Sequence, residues 1–185
     1  MRKAVFGGAI SLDNFMARPD GSFDWIMHSE EGMEIMKEMW PRFDVMVTGR
    51  KTYDLTRAMS PADREKVKKM HGGMKVYVFS RTLPAGEDEA GGFIVNSNPA
   101  EFLRKLKQEE GKDIMIMSGG DLARTLFEAG EIDEIGFNIQ PILLGDGIPL
   151  YYKMSRSTDL ELIECRPMKN GCVYVRYRVL SEPPV

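Results

Sequence analysis

Cysteine and histidine are scarce in this chain of 185 residues: two of each, Cys165 and Cys172, His28 and His71. The cysteines make no C-x-x-C and no metal-ligand spacing, and two are too few for a secreted disulfide framework. They read as free thiols of a reducing compartment. Neither histidine stands in a recognisable motif with a serine or cysteine nucleophile, which speaks against a triad hydrolase and a metal centre. Long apolar runs are missing: nothing approaches the ~18 residues of a membrane span. The N-terminus, M-R-K-A-V-F-G-G-A-I, starts like a secretory leader. Ser11 and Asp13 end its apolar run without a small-x-small cleavage site, so it reads as a first strand. Positive charge is not in excess; the formal net charge is −3, which argues against a broad nucleic-acid surface. A local cluster of cations around a small anion stays open. Repeats, low-complexity tracts and linkers are absent. The expectation is one cytoplasmic domain spanning 1–185, with no membrane or nucleic-acid partner.

What is present is an alternation of strands and helices. Lys3–Ile10 is an apolar strand, and Leu12–Arg18 a loop or short strand. Ser29–Trp40 carries Met33, Ile35, Met36, Met39 and Trp40 at helical spacing, with Ser29 as N-cap and Pro41 as stop. Val45–Val47 is a buried strand, followed by a helix from about Thr52. Lys75–Phe79 and Ile94–Val95 are strands. Pro99–Glu110 is an amphipathic helix with Phe102, Leu103 and Leu106 inward. Ile114–Met117 is a strand, Gly120–Ala129 a helix ended by Gly130, and Glu134–Ile142 a strand. Met59–Gly73 and Pro84–Gly92 look like surface excursions. Leu160–Pro167 and Cys172–Leu180 flank Asn170-Gly171, a strong hairpin signal. As a two-residue turn it sets Cys172 opposite Lys169 and Cys165 near Arg176. Val173, Val175, Tyr177 and Val179 then share a buried face. Such an order implies a mixed sheet flanked by helices.

In sheets of this kind ligands bind beyond the carboxyl ends of the parallel strands. Three of those ends favour anions. T-G-R-K-T (48–52) turns at Gly49 into a helix start, where free N–H groups and the helix dipole attract negative charge, and Arg50, Lys51 and Thr52 add cations and a hydroxyl. It is no Walker A loop, because position 44 is Asp and Arg50 stands where that loop needs Lys. S-R-T-L (80–83) brings two hydroxyls and Arg81. S-G-G-D-L (118–122) sets paired glycines between strand and helix, open to close approach by a diphosphate. It lacks the G-x-G-x-x-G pattern, so a Rossmann half is not expected. Each loop alone also suits a solvated helix start or a tight turn; together they fit one ligand with several phosphates.

The order S-L-D, W, helix, V-T-G-R-K-T, V-F-S-R-T-L, M-S-G-G-D-L, then N-I-Q-P-I-L-L-G-D-G-I-P-L resembles the dihydrofolate reductase superfamily. Within it, the closer resemblance is to the C-terminal reductase domain of the riboflavin-pathway deaminase/reductase. It runs from Val5 to about Tyr177. It implies an α/β, dihydrofolate-reductase-like three-layer fold, with a mixed, mostly parallel sheet, a C-terminal antiparallel hairpin and helices on both faces. The upstream deaminase motif, H-x-E with P-C-x-x-C, is absent.

The resemblance implies NADPH as cofactor. Gly49, Arg50, Lys51 and Thr52 would hold adenosine-side phosphates, and Ser80, Arg81 and Thr82 would flank the 2′-phosphate. Ser118, Gly119, Gly120, Asp121 and Leu122 would cradle the pyrophosphate, with Ala9 and Met16 against the nicotinamide. Asp13 would shape its loop rather than react, and Leu12–Asp24 would act as a lid. The family's substrate acid follows a Trp by five residues; here Glu30 follows Trp25 by five, with Glu31 next, so Glu30 and Glu31 are the candidate catalytic acids. Both also suit the N-terminal dipole of a solvated helix. Asp24, Trp25 and Gln140 are candidate substrate contacts, and Gln140–Leu150 a substrate-lining loop or dimer contact. The implied reaction is hydride transfer to a small heterocycle of the 5-amino-6-(5-phosphoribosylamino)uracil type. Reduction of a pterin and non-catalytic NADP(H) sensing are the alternatives. A homodimer is expected.

Overall fold

The structure, a computed structural model, describes residues 1–155 and 157–180; the last five residues of the expected 1–185 domain lie outside it. In chain order the elements are β1 (Ala4–Ser11), β2 (Phe15–Ala17), α1 (Glu30–Met39), a 3-10 turn (Trp40–Arg42), β3 (Phe43–Gly49), α2 (Arg50–Ala58) and α3 (Pro61–Met70). Then come β4 (Lys75–Phe79), β5 (Gly86–Glu87), β6 (Gly92–Val95), α4 (Pro99–Gln108), β7 (Asp113–Ile116), α5 (Gly120–Glu128), β8 (Glu134–Gln140), β9 (Ile148–Pro149), β10 (Leu160–Pro167) and β11 (Val173–Val179). Nine strands form one sheet in the order β10-β11-β8-β1-β7-β3-β4-β6-β5, and β2 pairs with β9 apart from it. The strands from β8 to β6 run parallel; β5 and the β10–β11 hairpin are antiparallel. The expected mixed, mostly parallel sheet with a C-terminal hairpin is what forms.

Alternation along the strands makes three layers. Phe6, Val45, Val47, Ile114, Ile116 and Phe137 face α4 and α5, meeting Leu103, Leu106, Ala123, Leu126 and Phe127 in the main core. Burial of each such large side chain contributes roughly 1.5–3 kcal/mol. On the other face Val5, Met46, Met74 and Met115 meet Met39 and Trp40. The register shift between Phe43 and Val45 puts Phe43 on this second face, while Val45 turns to the first.

Three expectations change. The surface excursion Met59–Gly73 holds an element not expected from sequence, since Pro61–Met70 is a helix capped by the Ser60 side chain. The helix after β3 begins at Arg50, not Thr52. The hairpin closes through three residues: Met168 N–H donates to Cys172 O, and Gly171 has φ 87. That is a turn with a left-handed third residue, so Cys165 lies opposite Val175 and Glu164 opposite Arg176, before the bulge between Glu164 and Leu162. Both faces of β11 are covered: Val175, Tyr177 and Val179 pack on the main core, while Tyr174 is buried on the α1 side.

At the amino edge of the sheet, buried Glu134 pairs with Lys3, Arg42 and Arg176. Burial alone would raise its carboxyl pKa, but Lys3 and Arg42 hold it below the ordinary value. This ionic cluster ties β1, β3, β8 and β11 together at the end remote from the three anion-favouring loops.

Candidate cofactor and acceptor site

The three loops follow β7, β3 and β4, which are adjacent in the sheet, and β1 is the next neighbour of β7. At ~4.8 Å per strand, the edge from β1 to β4 spans about 14 Å, so separate sequence signals become one elongated groove. α1, α3 and α4 are capped at their N-termini by the side chains of Ser29, Ser60 and Asn98. α2 and α5 start instead at Gly49 and Gly119, with no side-chain cap. The first-turn amides Arg50–Thr52 and Gly120–Leu122 therefore lack an intrahelical acceptor.

Neither of these two glycines is demanded by the fold. Both have ordinary negative φ. A Cβ at Gly49 would meet nothing within 4 Å, and one at Gly119 only the Met16 Cε at 4.0 Å. Gly8, at the β1 end of the edge, is as open. Gly120 differs: its Cβ would strike the Tyr152 ring at 2.5 Å and the Leu150 carbonyl at 2.9 Å. Open space at Gly8, Gly49 and Gly119 fits a ligand lying along this edge.

The expected cofactor residues divide into two kinds. Arg81 and Lys51 are exposed and make no ion pair among the described residues. Arg50 donates to the Thr82 hydroxyl at 2.6 Å and pairs with Asp54 at 3.2 Å, joining the β3 and β4 exits. Ser80 is buried, and its oxygen accepts the N–H groups of Thr82 and Leu83, so it shapes the turn that presents Arg81. Ser118 is buried, Asp121 is exposed beside Arg124, and half-buried Leu122 packs on the main core. Met16 lies beside Gly119, and half-buried Ala9 borders the neighbouring cavity.

That cavity, about 290 Å³, lies between α1 and the sheet. Its floor is β1 and β8, where Gly7 pairs with Gly136. A Cβ on Gly7 would sit 2.5 Å from the Gly136 carbonyl oxygen, so the floor stays bare. Met27, Met33, Met36 and Met39 from the α1 side, Met115 and Met117 from β7 and its exit, and Met168 from the hairpin line the walls. Polar groups are few: His28, Ser29, Trp40, Asn138 and Tyr174. Asn138 Oδ1 and Trp40 Nε1 are buried without a partner among the described residues.

The expected acids do not reach this cavity. Glu30 is exposed in the first turn of α1. The Glu31 carboxylate accepts the Lys169 backbone N–H at 3.2 Å, against the hairpin turn. At ~100° per residue, the face carrying Gly32, Met33, Met36 and Met39 is the one turned to the sheet. Asp24 is exposed and paired with Arg18 at 2.7 Å, which holds its carboxyl below the usual range. Trp25 is buried, but not among the lining residues, and its Nε1 has no partner among the described residues. Gln140 is fully buried; its Oε1 accepts the Met27 N–H at 2.8 Å and the Cys172 thiol at 3.3 Å. It positions the cavity wall without lining it. The residues missed from sequence were Asn138 and Tyr174. Strand alternation through Gly136, Asn138 and Gln140 could have pointed to Asn138.

The lid segment is anchored rather than loose. Asp13 accepts from Ser11 Oγ at 2.6 Å, Leu144 N–H at 3.1 Å and Gly145 N–H at 2.8 Å, tying it to the Gln140–Leu150 loop. These bonds, the Ser11 hydroxyl foremost, hold its carboxyl below the ordinary value. β2 pairing with β9 adds a second tie.

Among known proteins, the family model described as the RibD C-terminal domain matches residues 3–174. The uncharacterized protein YyaP of Bacillus subtilis (strain 168) is 30% identical over 182 residues, covering 95% of this chain and 94% of that one. A putative riboflavin biosynthesis protein from Shewanella sp. PV-4 superposes with a TM-score of 0.77 at 23% identity, over 96% of this chain and 99% of the other. Dihydrofolate reductase from Enterococcus faecalis, solved with NADP(H), superposes at 0.64 with 16% identity, over 96% of each chain. The structural likenesses establish a dihydrofolate-reductase-like fold. Among the described residues no helix is long and apolar enough to cross a membrane, and no group of three or more His, Cys, Asp or Glu could hold a metal.

Proposed function

The chain belongs to the RibD C-terminal domain family, and from that premise we propose an NADPH-dependent reductase that reduces a small flat acceptor held under α1. The observation that carries this reading is the run of open glycines, Gly8, Gly49 and Gly119, along adjacent strand ends that nothing in the fold requires. When bound, the dihydronicotinamide supplies a hydride. The rest falls to the chain. Uncapped amides at Gly120–Leu122 and Arg50–Thr52 receive the diphosphate. Arg81 and Lys51 supply charge for the 2′-phosphate, with Thr82 and the Ser80 turn presenting Arg81. Ala9 and Met16 flank the nicotinamide, and the Asp13 clamp keeps the lid over it, limiting water. Family membership makes the pyrimidine nucleotide of riboflavin biosynthesis the first acceptor to test.

Fluorescence titration with NADPH and NADH tests the cofactor half. NADPH should bind at least ~10-fold tighter, about 1.4 kcal/mol, and Arg81→Ala should remove most of that preference. Failure of NADPH to associate would overturn the reading.

A further inference from the structure

The cavity's lining chemistry narrows the acceptor, given the reductase reading above. We propose that this site takes an uncharged, flat, conjugated carbonyl compound, of the quinone or enone class, whose carbonyl oxygen receives a hydrogen bond from the Tyr174 hydroxyl. Among the described residues the lining holds no Lys, Arg, Asp or Glu. A phosphate dianion drawn into it would be buried without a counter-charge, and a buried unpaired ion is strongly disfavoured. A pterin or aminopyrimidine would find no carboxylate for its ring N–H groups. Seven methionine side chains offer flexible, polarisable contacts to the faces and edges of an aromatic or quinonoid ring. The volume, about 290 Å³, lies at the small end of ligand pockets, roughly 300–1,000 Å³.

Among the described residues, two buried polar atoms of this apolar cavity wall stand without partners, Asn138 Oδ1 and Trp40 Nε1, and a third group, the Tyr174 hydroxyl, makes no hydrogen bond to protein. Tyr174 Oη would lie 3.1 Å from a Cβ on Gly136, so the absence of that side chain lets the phenol stand over the β8–β1 floor. It has no hydrogen-bond partner among the described residues. Burial pushes the Tyr174 pKa up, keeping the hydroxyl protonated and therefore a donor. Asn138, opposite Tyr174 across β8 and β11, leaves Oδ1 unpaired, and Trp40 leaves Nε1 unpaired. An acceptor with carbonyl oxygens meets the two donors, and the hydroxyl that forms on reduction is the donor Asn138 Oδ1 lacks. A buried polar group gains most from such a partner.

Electrons and atoms balance with NADPH as the two-electron donor. The C4–H bond of the dihydronicotinamide breaks, that hydrogen bonds to the conjugated system with the pair, and the displaced π pair comes to rest on the carbonyl oxygen. That oxygen, held by the Tyr174 O–H, takes one proton from water. For a quinone, the ring carbon that took the hydride then loses its hydrogen to water as a proton while the second carbonyl oxygen takes one from water, so hydroquinone leaves, and NADP⁺ is the other product. A donor aimed at oxygen that gains charge only as hydride arrives favours the transition state over bound acceptor.

Duroquinone is a suitable probe because its substituted ring does not alkylate thiols. In the cofactor-free protein it should quench tryptophan fluorescence saturably, since Trp40 lines the cavity. With saturating NADPH it should be reduced with kcat/KM at least 100-fold above that for 5-amino-6-(5-phosphoribosylamino)uracil or dihydrofolate. Tyr174→Phe should lower kcat at least 10-fold while changing duroquinone quenching and NADPH affinity less than threefold. Met36→Glu should abolish quenching and leave NADPH affinity intact. NADPH binding with no duroquinone turnover, preferred reduction of the phosphorylated pyrimidine, or full activity of Tyr174→Phe would each overturn this proposal and leave the reductase reading standing. Absence of NADPH binding would overturn both.

Discussion

Replacing Gly119 or Gly49 with alanine separates a glycine kept for the fold from one kept for a ligand. Neither backbone is in the left-handed region, and the added methyl meets nothing closer than the Met16 Cε at 4.0 Å. Restricting the unfolded chain stabilises by about 0.4–1 kcal/mol at a compatible site. Alanine is a poorer N-cap than glycine and offsets part or all of that. The net change stays within about 1 kcal/mol, a melting shift of roughly 2–4 °C for a chain of this size. The ligand side is different. A methyl at the mouth of the uncapped helix occupies the space through which phosphate oxygens approach the amides. Loss of one charge-assisted hydrogen bond costs about 1.5–3 kcal/mol, which is ~10- to 150-fold in Kd. Thermal melts without cofactor and NADPH titration of the same samples read the two terms separately. Gly119→Ala with NADPH affinity within twofold of the parent, or with a melting loss above ~10 °C, would refute the reasoning.

Asp13→Asn should leave the melting temperature nearly unchanged but raise KM for NADPH and speed proteolysis of the Leu12–Asp24 segment, because an amide accepts only weakly from Leu144, Gly145 and Ser11; limited trypsin digestion checks it. Glu134→Gln should cost about 3 kcal/mol, read by urea unfolding, because Lys3, Arg42 and Arg176 lose a shared counter-charge. Glu134 also sets a pH dependence. Its folded carboxyl pKa is depressed, so its contribution is complete above the unfolded value near ~4.3 and disappears as pH falls through the lower folded value. The parent should lose stability on acidification through that window, and Glu134→Gln should lose less.

Much of the fold was legible because local rules and packing agreed. Ser29 capped the helix it was expected to cap, and the apolar periods of Pro99–Gln108 and Gly120–Glu128 faced the core. Agreement failed where one pattern served two purposes. Met33, Met36 and Met39 have the spacing of an ordinary buried helix face, yet they wall a cavity because the opposing strands carry Gly7 and Gly136 instead of side chains. Glu30 and Glu31 sat at the right distance from Trp25 in sequence, but helix rotation directs one to solvent and the other to Lys169. Charge-rich Pro61–Met70 read only as part of a surface excursion because its helix signal lies in Ser60, Pro61 and Asp63 at the cap rather than in an apolar stripe.

The residues alone determined most of the longer strands and helices, that phosphate-favouring corners follow three of those strands, and which family the pattern resembles, since these depend on neighbours a few positions apart. Tertiary structure decided that β7, β3 and β4 lie side by side, so that three corners become one groove. It also decided that Tyr174, Asn138 and Trp40 share a methionine-lined cavity whose described lining residues carry no Lys, Arg, Asp or Glu. The physical reason is range: turn chemistry and capping act within one helical turn, whereas strand order and the emptiness between α1 and the sheet arise only when distant side chains, or their absence, meet.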